Sequence, residues 1–248
     1  MLRVTVLELP ATWGDPRRVL EDVEGTLAGG PTTDLVLLPE QSLSGYVSRA
    51  GDFDLTPFAE PLGGPTHLAV AALARRQRVT VVAPLVLREG LACSNAMIAC
   101  DPAGDLVFVH RKRHPWYPEL WATAGAAPAP VVTIAGARVT IAICFDLHFI
   151  EEDAAGALDA SDLLLFPSAW VEENDERGAK LPALARKHRV AIANANWGPG
   201  EVCIAGQGSA SILGPRGELL ARTEADPRDA HRHAIRRADA TLALPRRA

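Results

Sequence analysis

The chain has 248 residues, 48% hydrophobic and 22% charged, which is ordinary globular composition with material for a sizeable core. Its formal net charge is −5, with acidic and basic residues interspersed, which argues against nucleic acid or an anionic membrane as the main partner. No apolar run approaches the roughly 20 residues of a spanning helix. The opening MLRVTVLELPATWGD reads as a first strand and not as a signal peptide, so the expected compartment is cytoplasmic.

Taken in chain order, the pattern alternates strands with helices. A strand is predicted at 2–9, a helix at 16–28 and a fully apolar strand at 34–38. A helix opening at Pro65-Thr66 runs over 65–78 and closes on Arg75, Arg76 and Arg78; a strand at 79–87 follows. Asp101-Pro102-Ala103-Gly104 connects strands at 95–100 and 105–109 as a hairpin. Strands at 131–134 and 138–143 precede a helix at 150–159 and an apolar strand at 163–166. A helix at 182–188, a strand at 190–194 and a second hairpin, 208–213 with 218–222, complete the series. Residues 224–248 read as a mobile tail or intersubunit arm carrying one strand at 241–244. Apolar strands interleaved with helices imply an α/β fold, and the hairpins make its sheets mixed. No linker divides the chain, so one domain over 1–248 is expected.

Three strand ends deliver reactive groups. Cys144 follows the β-branched run Val139–Ile143, and the acidic Glu151, Glu152 and Asp153 open the next helix. A thiol on such a strand-to-helix turn is exposed, and the helix dipole would favour its thiolate. Glu40 emerges after DLVLLP, where Pro39 stops the strand, and is placed as a general base. Lys112 follows Leu106–Val109, and its ammonium could stabilise an oxyanion and a neighbouring thiolate. Glu119 lies among Trp116, Tyr117 and Trp121, where it could orient Lys112 or a substrate. Taken singly, Cys144 reads as a structural cysteine, Glu40 as a solvated carboxylate and Lys112 as a surface lysine. Cys93, Cys100 and Cys203 lie in or beside apolar runs and are expected to pack in the core.

As a set, these residues are more specific. LLPEQSLSGY around Glu40, HRKRHPWYPE around Lys112 and Glu119, and AICFDLHF around Cys144 resemble the three signature segments of the nitrilase (carbon–nitrogen hydrolase) superfamily. PSAW at 167–170, the segment NAMIACDPAGDLVFVHRK and GQGSASILGPRGELLA at 206–221 extend the resemblance over roughly residues 2–222. It implies a four-layer αββα sandwich of two mixed sheets, usually paired into dimers, so a homodimer or higher homo-oligomer is expected. It also implies a Glu-Lys-Cys triad needing no metal or organic cofactor. Cys144 would be the nucleophile and Glu40 the proton shuttle. Lys112 would stabilise the tetrahedral intermediate with the backbone N–H of Phe145, and Glu119 matches the additional glutamate. The implied partner is a small-molecule substrate, a linear amide or N-carbamoyl compound, cleaved to an acid and ammonia or an amine through a thioester.

This chain departs from the family pattern in places. His148 stands where many members carry an arginine that faces the substrate. The connection leading to WYPE is short, and the segment after PSAW lacks the usual His-Trp pair. An aromatic substrate wall is expected from Trp116, Tyr117, Trp121 and Trp170. Phe145, where nitrile-cleaving members tend to carry tryptophan, favours amides over nitriles. A nitrilase and a catalytically silent binding subunit are the remaining readings, the second disfavoured by the full set of reactive residues. His110 and His114, and His231 with His233, do not make a recognisable zinc motif. Gly29-Gly30 and Gly63-Gly64 form neither GxGxxG nor a P-loop and read as turns.

Overall fold

The computed structural model describes residues 1–172, 174–224 and 234–244. Twelve strands form two six-stranded sheets among the described residues. The first contains β1 (Leu2–Glu8), β2 (Leu35–Leu37), β3 (Thr80–Glu89), β4 (Ala92–Cys100), β5 (Leu106–Arg111) and β12 (Arg236–Leu242), in the order β12-β1-β2-β3-β4-β5. The second contains β6 (Val132–Ile134), β7 (Ala137–Ile141), β8 (Leu163–Ser168), β9 (Ala191–Asn196), β10 (Ser211–Leu213) and β11 (Leu219–Arg222), in the order β11-β10-β9-β8-β7-β6. In each sheet three parallel strands, β1-β2-β3 and β7-β8-β9, are flanked by antiparallel ones.

Alternation along the strands shows how the layers stack. Leu35 and Leu37 join a core shared with Val139, Ile141, Leu163 and Ala193 of the second sheet. Val36 and Leu38, pointing the other way, pack with Val19, Val23, Val70 and Leu73 of α1 (Pro16–Ala28) and α2 (Pro65–Gln77). On the far side α3 (Ile150–Asp159) and α4 (Arg177–His188) contribute Leu158, Leu181 and Ala185 against the second sheet. The result is the αββα sandwich expected from the sequence. Each parallel trio needs crossovers over its outer face, and those crossovers are the helices.

Helix boundaries follow their caps. Pro16 and Pro65 begin α1 and α2, where the missing N–H costs nothing, and the Asp15 carboxylate accepts from Arg18 N at 3.1 Å. The expected start of α4 at Pro182 is wrong by more than a turn. Pro182 lies inside the helix, which begins at Arg177, a buried residue whose guanidinium binds Asp175 and the Gly206 and Gly208 carbonyls.

The C-terminal segment also differs. Arg236–Leu242 pairs antiparallel with the whole of β1, from Glu8↔Arg236 to Leu2↔Leu242, instead of forming a short strand at 241–244 in a mobile tail. Ala238 and Leu242 are buried in the shared core, and Arg236 Nη1 meets buried Glu8 Oε1 at 2.5 Å. The polar composition is that of an edge strand, which tolerates charge on its outer face. Cys93 and Cys100 are buried as expected, but Cys203 is exposed in the connection after β9.

Candidate active site

The carboxyl ends of β2, β7 and β8 bring Glu40, Cys144 and Ala169-Trp170 together, the edge at which open α/β sheets place their ligands. Lys112 arrives from the end of β5, its N–H bonded to the Asn95 carbonyl at 2.8 Å. Glu119 follows in a turn closed by its own N–H on the Trp116 carbonyl at 2.8 Å.

The four side chains form one buried cluster. Lys112 is fully buried, and its Nζ donates to Glu40 Oε1 at 2.7 Å and lies 3.0 Å from Glu119 Oε2. Nζ also donates to Glu119 Oε1 at 3.1 Å, so three carboxylate oxygens surround the three N–H groups of the ammonium. Glu40 Oε2 accepts from Ala169 N at 3.0 Å, and the same N–H reaches the Cys144 sulfur. Glu119 Oε2 accepts from Trp116 N at 2.9 Å, and its carboxylate also receives the Tyr46 hydroxyl. Burial lifts the Glu119 carboxyl above the usual range, while Lys112 opposes that lift. Beside two carboxylates, Lys112 is held protonated despite its burial.

Cys144 does not sit as its sequence suggests. A single turn of 3-10 helix, Cys144–His148, intervenes before α3, so no long helix dipole points at the thiol. Burial and the Glu40 charge push that thiol well above its ordinary pKa, and Lys112 only partly offsets them. The expected thiolate is therefore replaced by a neutral thiol beside the Glu40 carboxyl group. Cys144 has φ of 47°, a left-handed conformation worth about 1–3 kcal/mol of strain in a residue bearing a Cβ. Asp146 holds this turn by accepting from Ile143 N at 3.0 Å and His114 N at 2.8 Å. Its burial outweighs both donors and lifts its carboxyl to about 6.

Above the cluster is a small pocket lined by Tyr46, Trp116, Cys144, Phe145, His148 and Trp170. Its cavity of about 20 Å³ has room for roughly one or two water-sized groups. His148 stacks on Trp170 at 5.9 Å, and Lys180 Nζ lies 3.1 Å from His148 Nδ1. An ammonium can only donate, so Nδ1 accepts and the proton is on Nε2. Burial and Lys180 together lower the His148 pKa, keeping the ring neutral. A larger cavity of about 300 Å³ lies between α4 and the β10–β11 hairpin, away from all four reactive groups.

Of the aromatic residues expected at the substrate wall, Trp116 and Trp170 line the pocket. Tyr117 does not: it is 77% exposed and packs against Trp116 at 4.5 Å between centroids. Trp121 is half-buried outside the lining. The sequence reading missed Tyr46, whose segment QSLSGY was already part of the recognised pattern, and the buried Asn95 beneath Glu40. His110 is buried in β5, His114 Nε2 lies 2.5 Å from Asp153 Oδ2, and His231 and His233 lie outside the described residues.

Comparison with known proteins agrees with this architecture. The carbon–nitrogen hydrolase family profile matches residues 3–243. The chain is 27% identical to the hydrolase of the pqqF 5' region of Pseudomonas protegens, over 89% of this chain and 78% of that one. It is 27% identical to a formamidase of Bacillus cereus, over 65% of this chain and 49% of the formamidase, so it spans about half the length of that relative. Among solved structures, an amidase from Nesterenkonia sp. superposes with a TM-score of 0.81 at 21% identity, covering 96% of this chain and 90% of that one. In that structure, a Glu-to-Gln variant, the active-site cysteine carries the acetamide moiety of fluoroacetamide. With the profile matched across nearly its whole length, the chain belongs to the carbon–nitrogen hydrolase family.

Proposed function

We propose that this protein hydrolyses a small linear amide or N-carbamoyl compound through a thioester on Cys144. The observation that carries this reading is the buried meeting of Glu40, Lys112 and Cys144 under a pocket of small volume. Cys144 attacks the carbonyl carbon while its proton passes to Glu40. The Lys112 ammonium and the Phe145 backbone N–H stabilise the oxyanion. Glu40 then returns the proton to the departing nitrogen, the C–N bond breaks, and ammonia or an amine leaves. Water attacks the thioester, giving its proton to Glu40, and collapse of the second intermediate regenerates the thiol and releases the acid. Glu119 orients Lys112 from the opposite side, while Trp116, His148 and Trp170 bound the substrate; Tyr117 serves only to cover Trp116.

The cavity favours short acyl groups, a reading in keeping with the formamidase relatives and with the acetamide moiety carried by the Nesterenkonia amidase. By the family resemblance we also propose a single domain over 1–248 acting in the cytoplasm as a homodimer or larger homo-oligomer, which sedimentation tests. Intact-protein mass spectrometry after incubation with amides, N-carbamoyl amines and nitriles tests the chemistry, with ammonia measured in parallel. The expected result is an acyl adduct on Cys144 from short amides, lost in Cys144→Ala with the fold retained. Adducts and ammonia from nitriles alone would replace amide hydrolysis by nitrile hydrolysis. Turnover surviving in Cys144→Ala would refute the mechanism.

A further inference from the structure

Asn95 is an anomaly in its strand. It is 1% exposed in β4, among Ala96, Met97, Ile98 and Ala99, where a polar side chain is tolerated only when fully hydrogen-bonded. Its bonds are made with the reactive cluster. Asn95 Nδ2 donates to Glu40 Oε1 at 2.7 Å and to Glu119 Oε1 at 2.9 Å. Both acceptors are carboxylate oxygens, so the nitrogen faces them and the amide has one orientation. Asn95 Oδ1 accepts from Gln41 Nε2 at 2.7 Å, and Gln41 Oε1 accepts from Ser44 Oγ at 3.0 Å.

Gln41 follows Glu40 directly and is fully buried with φ of 51°. A left-handed non-glycine backbone persists where surrounding bonds over-determine it, and here the Gln41 side chain is tied at both ends of its amide. The chain Ser44→Gln41→Asn95 therefore ends on the two carboxylates. Oxygen by oxygen, Glu40 Oε1 is taken by Lys112 and Asn95, whereas Oε2 accepts from the Ala169 N–H, and the Glu40 carboxylate also pairs with the Cys144 thiol. With Oε1 held by two donors, Oε2 is the less occupied oxygen of the base.

We infer that Asn95, locked by Gln41, is a positioning residue that saturates Oε1 of Glu40, reserves Oε2 for the thiol proton, and bridges the two carboxyl groups beside one lysine. The inference rests on Glu40 acting as the base. A neutral amide suits this place because a second cation would weaken the base, whereas two N–H dipoles oppose the carboxylate repulsion without adding charge. Asn95 is absent from the pocket lining, so its removal should affect proton transfer and leave substrate binding intact.

The test compares wild type with Asn95→Leu, Gln41→Met and the double variant. Two pH profiles are measured: turnover of a short amide, and alkylation of Cys144 by iodoacetamide mapped by peptide mass. For Asn95→Leu, kcat should fall about 10- to 100-fold with KM changed less than about threefold, the pattern of a lost transition-state interaction. Losing a donor makes the base easier to protonate, so both acid limbs should move up by about one pH unit. Gln41→Met should shift both limbs the same way by less, and the double variant should be no worse than Asn95→Leu alone. A fall in kcat with unmoved limbs, or additive losses in the double variant, would overturn the inference and leave Asn95 a packing residue. Should Asn95→Leu fail to fold, Gln41→Met decides: a moved limb supports the relay and an unmoved one overturns it. A wild-type alkylation profile with no acid limb would remove Glu40 as base and overturn both this inference and the mechanism beneath it.

Discussion

Replacing Lys112 by methionine is the sharpest test of the electrostatics of the site. Methionine fills much of the same volume without charge, so the change deletes one ammonium from between Glu40, at 2.7 Å, and Glu119, at 3.0 Å. All three groups are at least 97% buried, so water cannot replace the lost cation. Removing one partner of a buried charge set costs about 3–5 kcal/mol, because the remaining charge is left uncompensated. Here two like charges remain, joined only by Asn95 Nδ2, and one must take up a proton. The sign follows from linkage. In the variant the folded state binds a proton more tightly than the unfolded chain, so its stability recovers as pH falls and declines as pH rises. Urea unfolding should give a deficit against wild type of about 3–5 kcal/mol near pH 8, shrinking toward about pH 5. Activity should fall at least about 10³-fold, through loss of the oxyanion partner and neutralisation of the base. A deficit independent of pH, or activity within about tenfold of wild type, would refute the charge assignment.

Three further outcomes follow from particular contacts. Gly45 has φ of 90°, and a Cβ there would lie 2.3 Å from the Thr12 carbonyl oxygen, so Gly45→Ala should cost more than about 2 kcal/mol in a thermal or urea melt and disturb adjacent Tyr46. His110 is pushed down to about 4 by burial, and by Arg113 and Arg111. On acidification the unfolded chain therefore takes the proton first: this stability is present above pH 6.5, falls as pH drops toward 4, and is reduced by about 2 kcal/mol near pH 5. In His110→Phe that part of the pH slope should vanish; an unchanged slope would assign it elsewhere. Finally, Cys144 should discriminate against iodoacetate relative to iodoacetamide more strongly than a free thiol does, because two carboxylates outnumber the single ammonium beside it. A ratio equal to that of free cysteine would mean that one carboxylate is protonated at rest.

Much of the site was legible because strand ends are legible. An apolar run that stops at a reactive residue, as at Pro39-Glu40 and Ile143-Cys144, fixes that residue at a sheet rim whatever the tertiary detail. Contacts across the fold were not legible. Asn95 and Tyr46 lie in segments that carry the family resemblance, but their roles are defined by partners 55 and 73 positions away along the chain, Glu40 and Glu119, which no local pattern reveals. Tyr117 failed for the same reason, since one aromatic neighbour lines the pocket while the next faces out. The C-terminal strand was misread because RRADATL has the composition of a solvated segment, and only pairing with β1 buries Ala238 and Leu242. Cys203 shows the limit of apolar context: its neighbours Val202 and Ile204 pack on a satellite cluster while the thiol-bearing residue stays exposed.

The raised pKa of Cys144 reads at first as a defect in a nucleophile, but the charge count makes it necessary. A resting thiolate would set three anions, Cys144, Glu40 and Glu119, around Lys112 in a site from which water is excluded. Holding the proton on sulfur keeps that count at two against one, and Ala169 N–H, shared by Cys144 and Glu40, aligns donor and acceptor for transfer. The arriving carbonyl changes the balance. As the sulfur–carbon bond forms, negative charge moves from the thiol side onto the substrate oxygen, where the Lys112 ammonium can stabilise it. Proton transfer and attack are then favoured together and neither is favoured alone. Reactivity is thereby tied to occupancy of the pocket that Cys144 lines.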